Sequence, residues 1–419
     1  MNTNYDLIII GGGASGMFAG CIASEKGLKV LIIEKNKELG KKLKITGGGR
    51  CNITNAEFDN RKFLENFGEN KKFLFSPFSK FSSKDTFEFF QNNGLELVEE
   101  ARKRVFPKSQ KAFDVFKTLE KILIKNKVGI LTNTKVKSLE NKKNKIVSVK
   151  TDKGQFNAQN FVLATGGLAA PFTGSTGDGF KFLEKLGHTV KSPTPNVVPL
   201  KNDCQYFHNI SGTSHNNCKI TFIQNQKNIF KKTGRILFTH FGLSAPMILN
   251  LSHQVLELLK HGKVFATLDF FPDLDYKQTD KKVLKVFNQN LNKKLKNVLP
   301  EIIEKNIANA ILKSFQNQIA EKNINEITVS ERKELLEKLK SFKMEITGSL
   351  GFDRSVIADG GIVSEEVEFK NMTSKKYSNL YLTGDILNIN RPSGGFSLQL
   401  CWTTAFVAVC DIFEKIKKN

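Results

Sequence analysis

The chain opens on an unbroken apolar run, Tyr5-Asp-Leu-Ile-Ile-Ile10, that stops at glycines. Continuous rather than alternating hydrophobicity predicts a strand buried on both faces, as in a parallel sheet. Small and apolar residues then recur at helical spacing over 14–26, at Ala14, Met17, Phe18, Ala19, Ile22 and Ala23. A second apolar run, Lys29-Val-Leu-Ile-Ile33, completes one βαβ unit. Helical spacing returns around 82–93 and 111–126, a polar hairpin spans 135–150, and Phe161-Val-Leu-Ala164 reads as another buried strand. From 192 to 270 short strands alternate with polar turns, 271–345 is helical and charge-rich, and the βα style resumes at about 346. The pattern predicts an α/β fold. A Rossmann-type domain (1–191 and 346–419) is interrupted by a β-rich, barrel-like insert at 192–270 and a helical insert at 271–345.

The punctuation of the first unit carries chemistry. Gly11-Gly-Gly13-Ala-Ser-Gly16 fits GxGxxG, follows a strand and opens a helix, which is the context that gives the motif meaning. Gly11 permits the tight turn, Gly13 lets backbone approach a pyrophosphate, and Gly16 lets helix and strand pack closely. The helix N-terminus offers unpaired N–H groups to the phosphates. Glu34, at the end of the second strand, is placed to accept ribose hydroxyls and disfavours a 2′-phosphate. FAD and NAD both satisfy these features.

Three further segments favour FAD. Gly40 to Asn55 is glycine-rich and contains Thr46-Gly47-Gly48-Gly49-Arg50-Cys51-Asn52; it lets backbone run beside a cofactor extended past the adenosine. Ala164-Thr165-Gly166-Gly167 ends a strand, and Thr383-Gly384-Asp385 ends another near the C-terminus, ahead of Gly394-Gly395-Phe396. Asp385 can present its carboxylate to a polyol such as ribityl, and the helix N-terminus that follows can stabilise negative charge on a flavin edge. NAD needs no such distant contact.

Together with Arg104-Val-Phe-Pro107, Thr173-Gly-Ser-Thr-Gly-Asp-Gly179, Phe238-Thr-His-Phe-Gly-Leu-Ser244 and Met372-Thr-Ser-Lys375, these segments resemble the BaiN/RdsA-type NAD(P)/FAD-dependent oxidoreductases, also labelled the aminoacetone oxidase family. The likeness covers nearly the whole chain. It implies a glutathione-reductase-like or fumarate-reductase-like FAD fold with NAD(P)H as electron donor. It also implies reactions such as bile-acid ring reduction, conversion of uridine to dihydrouridine in ribosomal RNA, or oxidation of a small amine. Fingerprint and resemblance assign the cofactor to Gly11, Gly13, Ala14, Ser15, Gly16, Glu34, Lys35, Lys42, Thr46, Gly47, Gly48, Gly49, Arg50, Cys51 and Asn52. They add Val136, Thr165, Gly166, Gly167, Asp178, Gly384, Asp385, Gly394, Gly395 and Phe396. The chain departs from the family at Asn388, Ala245 and Arg391; the last stands where a glycine is usual and can tune the flavin, contact an anionic substrate, or point to solvent.

No histidine precedes His188, so a histidyl-flavin link from the N-terminal segment is excluded and FAD is expected to be non-covalent. Cys51 lacks the second cysteine that a redox disulfide needs, since position 56 is Ala; it reads as packing or as a direct redox residue. His240 is the candidate proton donor, against the alternative of a histidine bonded to backbone. No second GxGxxG marks a separate nicotinamide domain. The six cysteines form no CxxC and no zinc spacing with histidine, so no metal is expected.

Composition adds one question. The net charge is +23, and residues 121–270 hold 21 basic against 7 acidic side chains. Such a field attracts polyanions, and ribosomal RNA is the candidate partner. Lysine outnumbers arginine about seven to one, which equally fits the bias of an AT-rich genome. No apolar run approaches the roughly 18 residues of a membrane span, and no leader fits ahead of the first strand, so a cytoplasmic location is expected. The oligomeric state is left open. A small-molecule flavin oxidase or reductase, acting on an amine or enone, and a non-catalytic flavin redox sensor are the alternatives to an RNA-modifying enzyme.

Overall fold

The computed structural model describes residues 5–315 and 318–418. These fall into two compact units, residues up to 195 with 356 onward, and 196–355.

The first unit is built on a parallel sheet. Strand Tyr5–Ile10 lies between Val30–Ile33 and Gly154–Leu163, with Ile8 opposite both Leu31 and Phe161. Gly129–Leu131 extends the sheet on one side and Leu380–Leu382 on the other, all parallel. Leu7, Ile8, Ile9 and Val162 are wholly buried, as unbroken apolar runs require. Helix Ala14–Glu25 is apolar nearly all round because it is covered on both sides. One cover is the last helix, Phe396–Lys418, whose Trp402 packs 5.2 Å from Phe18 and donates its indole N–H to Ile53 O at 3.0 Å. That helix is long and apolar enough to cross a bilayer by length and composition, contrary to the expectation that no such run exists, but 67% of its most apolar stretch is buried inside the fold.

The second unit is a closed six-stranded barrel. Its order is Leu200–Asn202, Gly242–Ser244, Lys227–Thr239, Ser214–Gln224, Val264–Asp269 and Phe342–Ser349, the last pairing back to the first. The inserts expected at 192–270 and 271–345 are one body here. Val283, Phe287, Leu335 and Leu339 from the helical stretch share one apolar cluster with Ile220, Phe222 and Phe238 of the barrel. The physical reason is closure: the strand that seals the barrel follows the helices in sequence, so the helices fold back onto it.

Candidate functional site

A cleft in the first unit encloses about 1230 Å³ of empty space, part of it open to solvent. Gly11 forms its floor. Its amide donates to Ile33 O at 2.9 Å, its φ is +104°, and a Cβ there would lie 2.5 Å from Ala164 O. Gly16 sits under the turn, where a Cβ would meet Gly11 O at 1.9 Å. At Gly13 a Cβ would meet nothing within 4 Å, because the residue faces the open cleft. Among the described residues no side chain caps the helix that starts at Ala14, so its first amides are left to a ligand.

Glu34 is buried, and its carboxylate organises this turn. Oε2 accepts from Gly12 N at 2.7 Å, and Oε1 accepts from Asn36 N and Asn36 Nδ2, both at 2.8 Å. A carboxylate offers about four acceptor positions. Three are filled by the protein, so Glu34 has room for one ribose hydroxyl rather than the pair. Beside it Lys35 bonds Asp178 at 2.6 Å, at the start of helix Asp178–Lys185. Burial works to raise the Asp178 carboxyl, but Lys35 overrides this and holds it below its usual range.

A second group lines the same cleft: Lys42, Thr46, Thr165, Gly166, Thr383, Asp385, Ser397, Leu398 and Cys401. Two of these carry buried polar atoms without a partner among the described residues, Thr165 Oγ1 and Thr383 Oγ1. Orphaned hydroxyls facing a cleft imply that something polar belongs there. Arg391, which is buried and does not point to solvent, clamps this end. Its guanidinium pairs with Asp385 Oδ1, donates to Ile389 O at 2.6 Å, and reaches Ser397 Oγ at 3.0 Å. Asp385 therefore spends one oxygen on Arg391 before any ribityl contact. The Lys42 ammonium is pushed below its usual range by burial, with Asp385 opposing that shift. The Cys401 thiol is pushed up to about 12, again by burial, so it is neutral.

These features fit FAD. They comprise an acid at one end, a glycine turn with a bare helix N-terminus, and unpartnered hydroxyls with two cations and an acid at the other end. Gly11, Gly13, Ala14, Ser15, Glu34, Lys35, Lys42, Thr46, Val136, Thr165, Gly166, Asp178 and Asp385 all line the cleft. Cys401, Ser397, Leu398 and Thr134 line it too and were not singled out from sequence; only the packing of the last helix beside Ser15 and Gly384 brings Cys401 there.

Other expected site residues are not among those that line this cleft. Arg50 bonds Glu100 at 3.0 Å and Gln110 at 2.9 Å and stacks 4.2 Å over Phe106, so it acts as a structural cation. Gly47, Gly48 and Gly49 take left-handed φ of +60°, +68° and +84° and shape the loop beside Thr46 rather than lining the cleft. Asn52 Oδ1 has no partner among the described residues. Cys51 is fully buried and does not line the cleft; burial pushes its thiol far above its usual range, which argues against a redox role. Phe396 packs 5.0 Å from Phe63 in the aromatic core, and Gly395 is pressed against Thr54, where a Cβ would lie 2.3 Å from its carbonyl. Gly384, Gly394 and Gly167 support the C-terminal wall; a Cβ on Gly167 would come within 3.0 Å of Asp385 O. His240 lies in the second unit, exposed in the turn between Lys227–Thr239 and Gly242–Ser244, with its ring edge-on to Phe241 at 4.9 Å. Among the described residues no cluster of His, Cys, Asp and Glu is suited to a metal.

Residues 5–410 match the family described as HI0933-like protein Rossmann domain. The chain is 30% identical over 410 residues to the 3-dehydro-bile acid delta(4,6)-reductase of Clostridium scindens, covering 96% of this chain and 97% of that protein. It is 25% identical to the ribosomal RNA dihydrouridine synthase of Escherichia coli, over 97% and 98% of the two chains. Among solved structures, the 3-ketosteroid delta1-dehydrogenase of Sterolibacterium denitrificans shares the fold, with a TM-score of 0.55 at 14% identity and coverage of 99% and 100%.

Proposed function

Because the chain belongs to the HI0933-like Rossmann family and is an FAD-dependent oxidoreductase, we propose that it reduces an activated carbon–carbon double bond with electrons from NAD(P)H, and that its substrate is uridine in ribosomal RNA. One observation carries the redox half: a single cleft is lined by the Glu34-braced glycine turn and by Lys42 and Asp385, the latter paired with the buried Arg391. When bound, FAD supplies hydride transfer between a nicotinamide and carbon. The protein's share is to hold the pyrophosphate on the bare amides of Ala14 and Ser15, and to set the charge of the far end through the Arg391–Asp385 pair.

The names of the two relatives share one reaction type, saturation of a ring double bond conjugated to a carbonyl. The basic surplus over 121–270 favours the RNA substrate, since a polyanion is drawn to it. The higher identity to the bile-acid reductase favours a small enone as the second reading. His240, exposed in the second unit, is the proton donor of this proposal; His240→Asn is expected to slow substrate reduction while leaving flavin reduction by NAD(P)H unchanged. The reading places the enzyme in the cytoplasm, with its RNA.

The deciding experiment maps dihydrouridine in ribosomal RNA from a strain lacking the gene, alongside stopped-flow reduction of the flavin by NADH and NADPH. Loss of one dihydrouridine, restored by the gene, is the expected result. An unchanged map together with rapid turnover of a steroid enone moves the assignment to the small-molecule reading.

A further inference from the structure

Within the barrel unit, strand register lines up polar side chains on the outward face. Lys231 stands opposite Thr221, Thr221 opposite Thr267, and Thr267 opposite Lys343. Side chains alternate along a strand, and the intervening Ile220, Phe222, Ala266, Leu268 and Met344 are buried, so this file faces out. With strands about 4.8 Å apart, the file carries a lysine at each end, roughly 14 Å apart, with two hydroxyls between them. Two residue pairs along, on the same face, Lys219 stands opposite Thr233. On the other side lies Phe265, half-buried, with Lys343 Nζ 4.4 Å over its ring. Phe265 and Lys343 also line a groove of about 990 Å³ with the exposed Tyr206 and with Lys338.

Two of the acids nearby are already engaged by lysines: Asp269 bonds Lys219 at 2.8 Å and Lys340 at 2.9 Å, and Glu345 bonds Lys263 at 3.3 Å. A third, Asp203, lines the groove and accepts from Glu345 N at 2.9 Å. Lys231 and Lys343 have no carboxylate partner among the described residues. Cations and hydroxyls at strand spacing suit successive phosphates, and a ring at the edge of the file suits an unstacked base, which a duplex does not offer.

We propose that this face, centred on Lys231, Lys343 and Phe265, grips single-stranded RNA by its phosphates and by stacking on one base. The inference rests on the uridine reading, and the test separates the two.

Binding of the FAD-loaded protein to a labelled oligouridylate is followed by anisotropy across a salt series. The Lys231→Gln/Lys343→Gln variant is expected to bind about tenfold more weakly and to lower the slope of log K against log salt by roughly 1.4, the loss of two single-strand phosphate contacts. Phe265→Leu is expected to weaken binding about fivefold with the slope unchanged. Lys181→Gln/Lys185→Gln, in the first unit, is expected to bind like the wild type. Flavin absorbance and melting temperature check that each variant is folded, and 4-thiouridine crosslinking of the wild type is expected to mark residues 219–231 or 265. Unchanged affinity and slope in the lysine variant, or crosslinks wholly outside this face, overturn the inference. If that variant fully restores dihydrouridine to a deletion strain, the surface assignment falls and the uridine reading stands. If deletion leaves dihydrouridine intact while the wild type binds RNA through this face, the uridine reading falls alone.

Discussion

Substituting Glu34 by Gln tests whether this carboxylate serves the turn more than the ribose. The side chain is buried and accepts three hydrogen bonds, from Gly12 N, Asn36 N and Asn36 Nδ2. Glutamine keeps one carbonyl oxygen. If that oxygen serves Asn36, the new NH2 group faces the Gly12 N–H, donor against donor. Losing a hydrogen bond to a charged acceptor and leaving a buried amide unpaired costs about 2 kcal/mol. Gly12 adjoins the pyrophosphate turn, so the loss is expected to appear in cofactor affinity as a roughly 30-fold rise in Kd for FAD. The assay is quenching of flavin fluorescence as FAD is added back to deflavinated protein, with thermal melting beside it. Glu34→Asp, too short to reach both loops, is expected to be at least as damaging. A Glu34→Gln protein that binds FAD within about twofold of wild type and melts at the same temperature would refute the reasoning.

The glycines of the turn predict opposite phenotypes: Gly13→Ala, with open space at its Cβ, folds normally but binds FAD weakly, whereas Gly16→Ala, 1.9 Å from Gly11 O, lowers melting temperature by an overpacking cost of about 1–3 kcal/mol. Five of the six cysteines are buried, so thiol titration of the native protein is expected to find Cys410 alone, slowly, and Cys51→Ala to keep full flavin content and turnover. Burial holds the His188 imidazole below its usual range against the opposing pull of Glu366, and the Glu366 carboxyl, 2.6 Å away, is held below its usual range against the opposing effect of burial. Both groups bind protons more readily unfolded than folded, so their stabilisation is complete above the unfolded histidine value and is lost on acidification. Melting temperature is expected to fall between about pH 7.5 and about pH 5, with a shallower fall in His188→Gln.

The amino-acid sequence alone specifies the βαβ unit, the glycine turn and its acid, because these depend on short-range spacing: apolar runs for buried strands, a 3.6-residue period for the helix, and glycine where φ must be positive. The far wall of the cleft was legible only in part. Asp385 was visible as a strand-end acid, but its pairing with Arg391 was not, since whether a lone arginine points to solvent or to a buried carboxylate depends on which surfaces close over it. Cys401, Ser397 and Leu398 reach the cleft only because the last helix docks against the first, more than 370 residues away in sequence. Arg50, Cys51 and Phe396 sit in motifs that look like cofactor contacts, yet an acid, close burial and an aromatic cluster claim their side chains. The last helix has the composition of a membrane span and the position of a core element. Local pattern determines which elements form, but which faces they bury is decided by long-range packing, and that packing sets where charge and hydroxyls are left for a ligand.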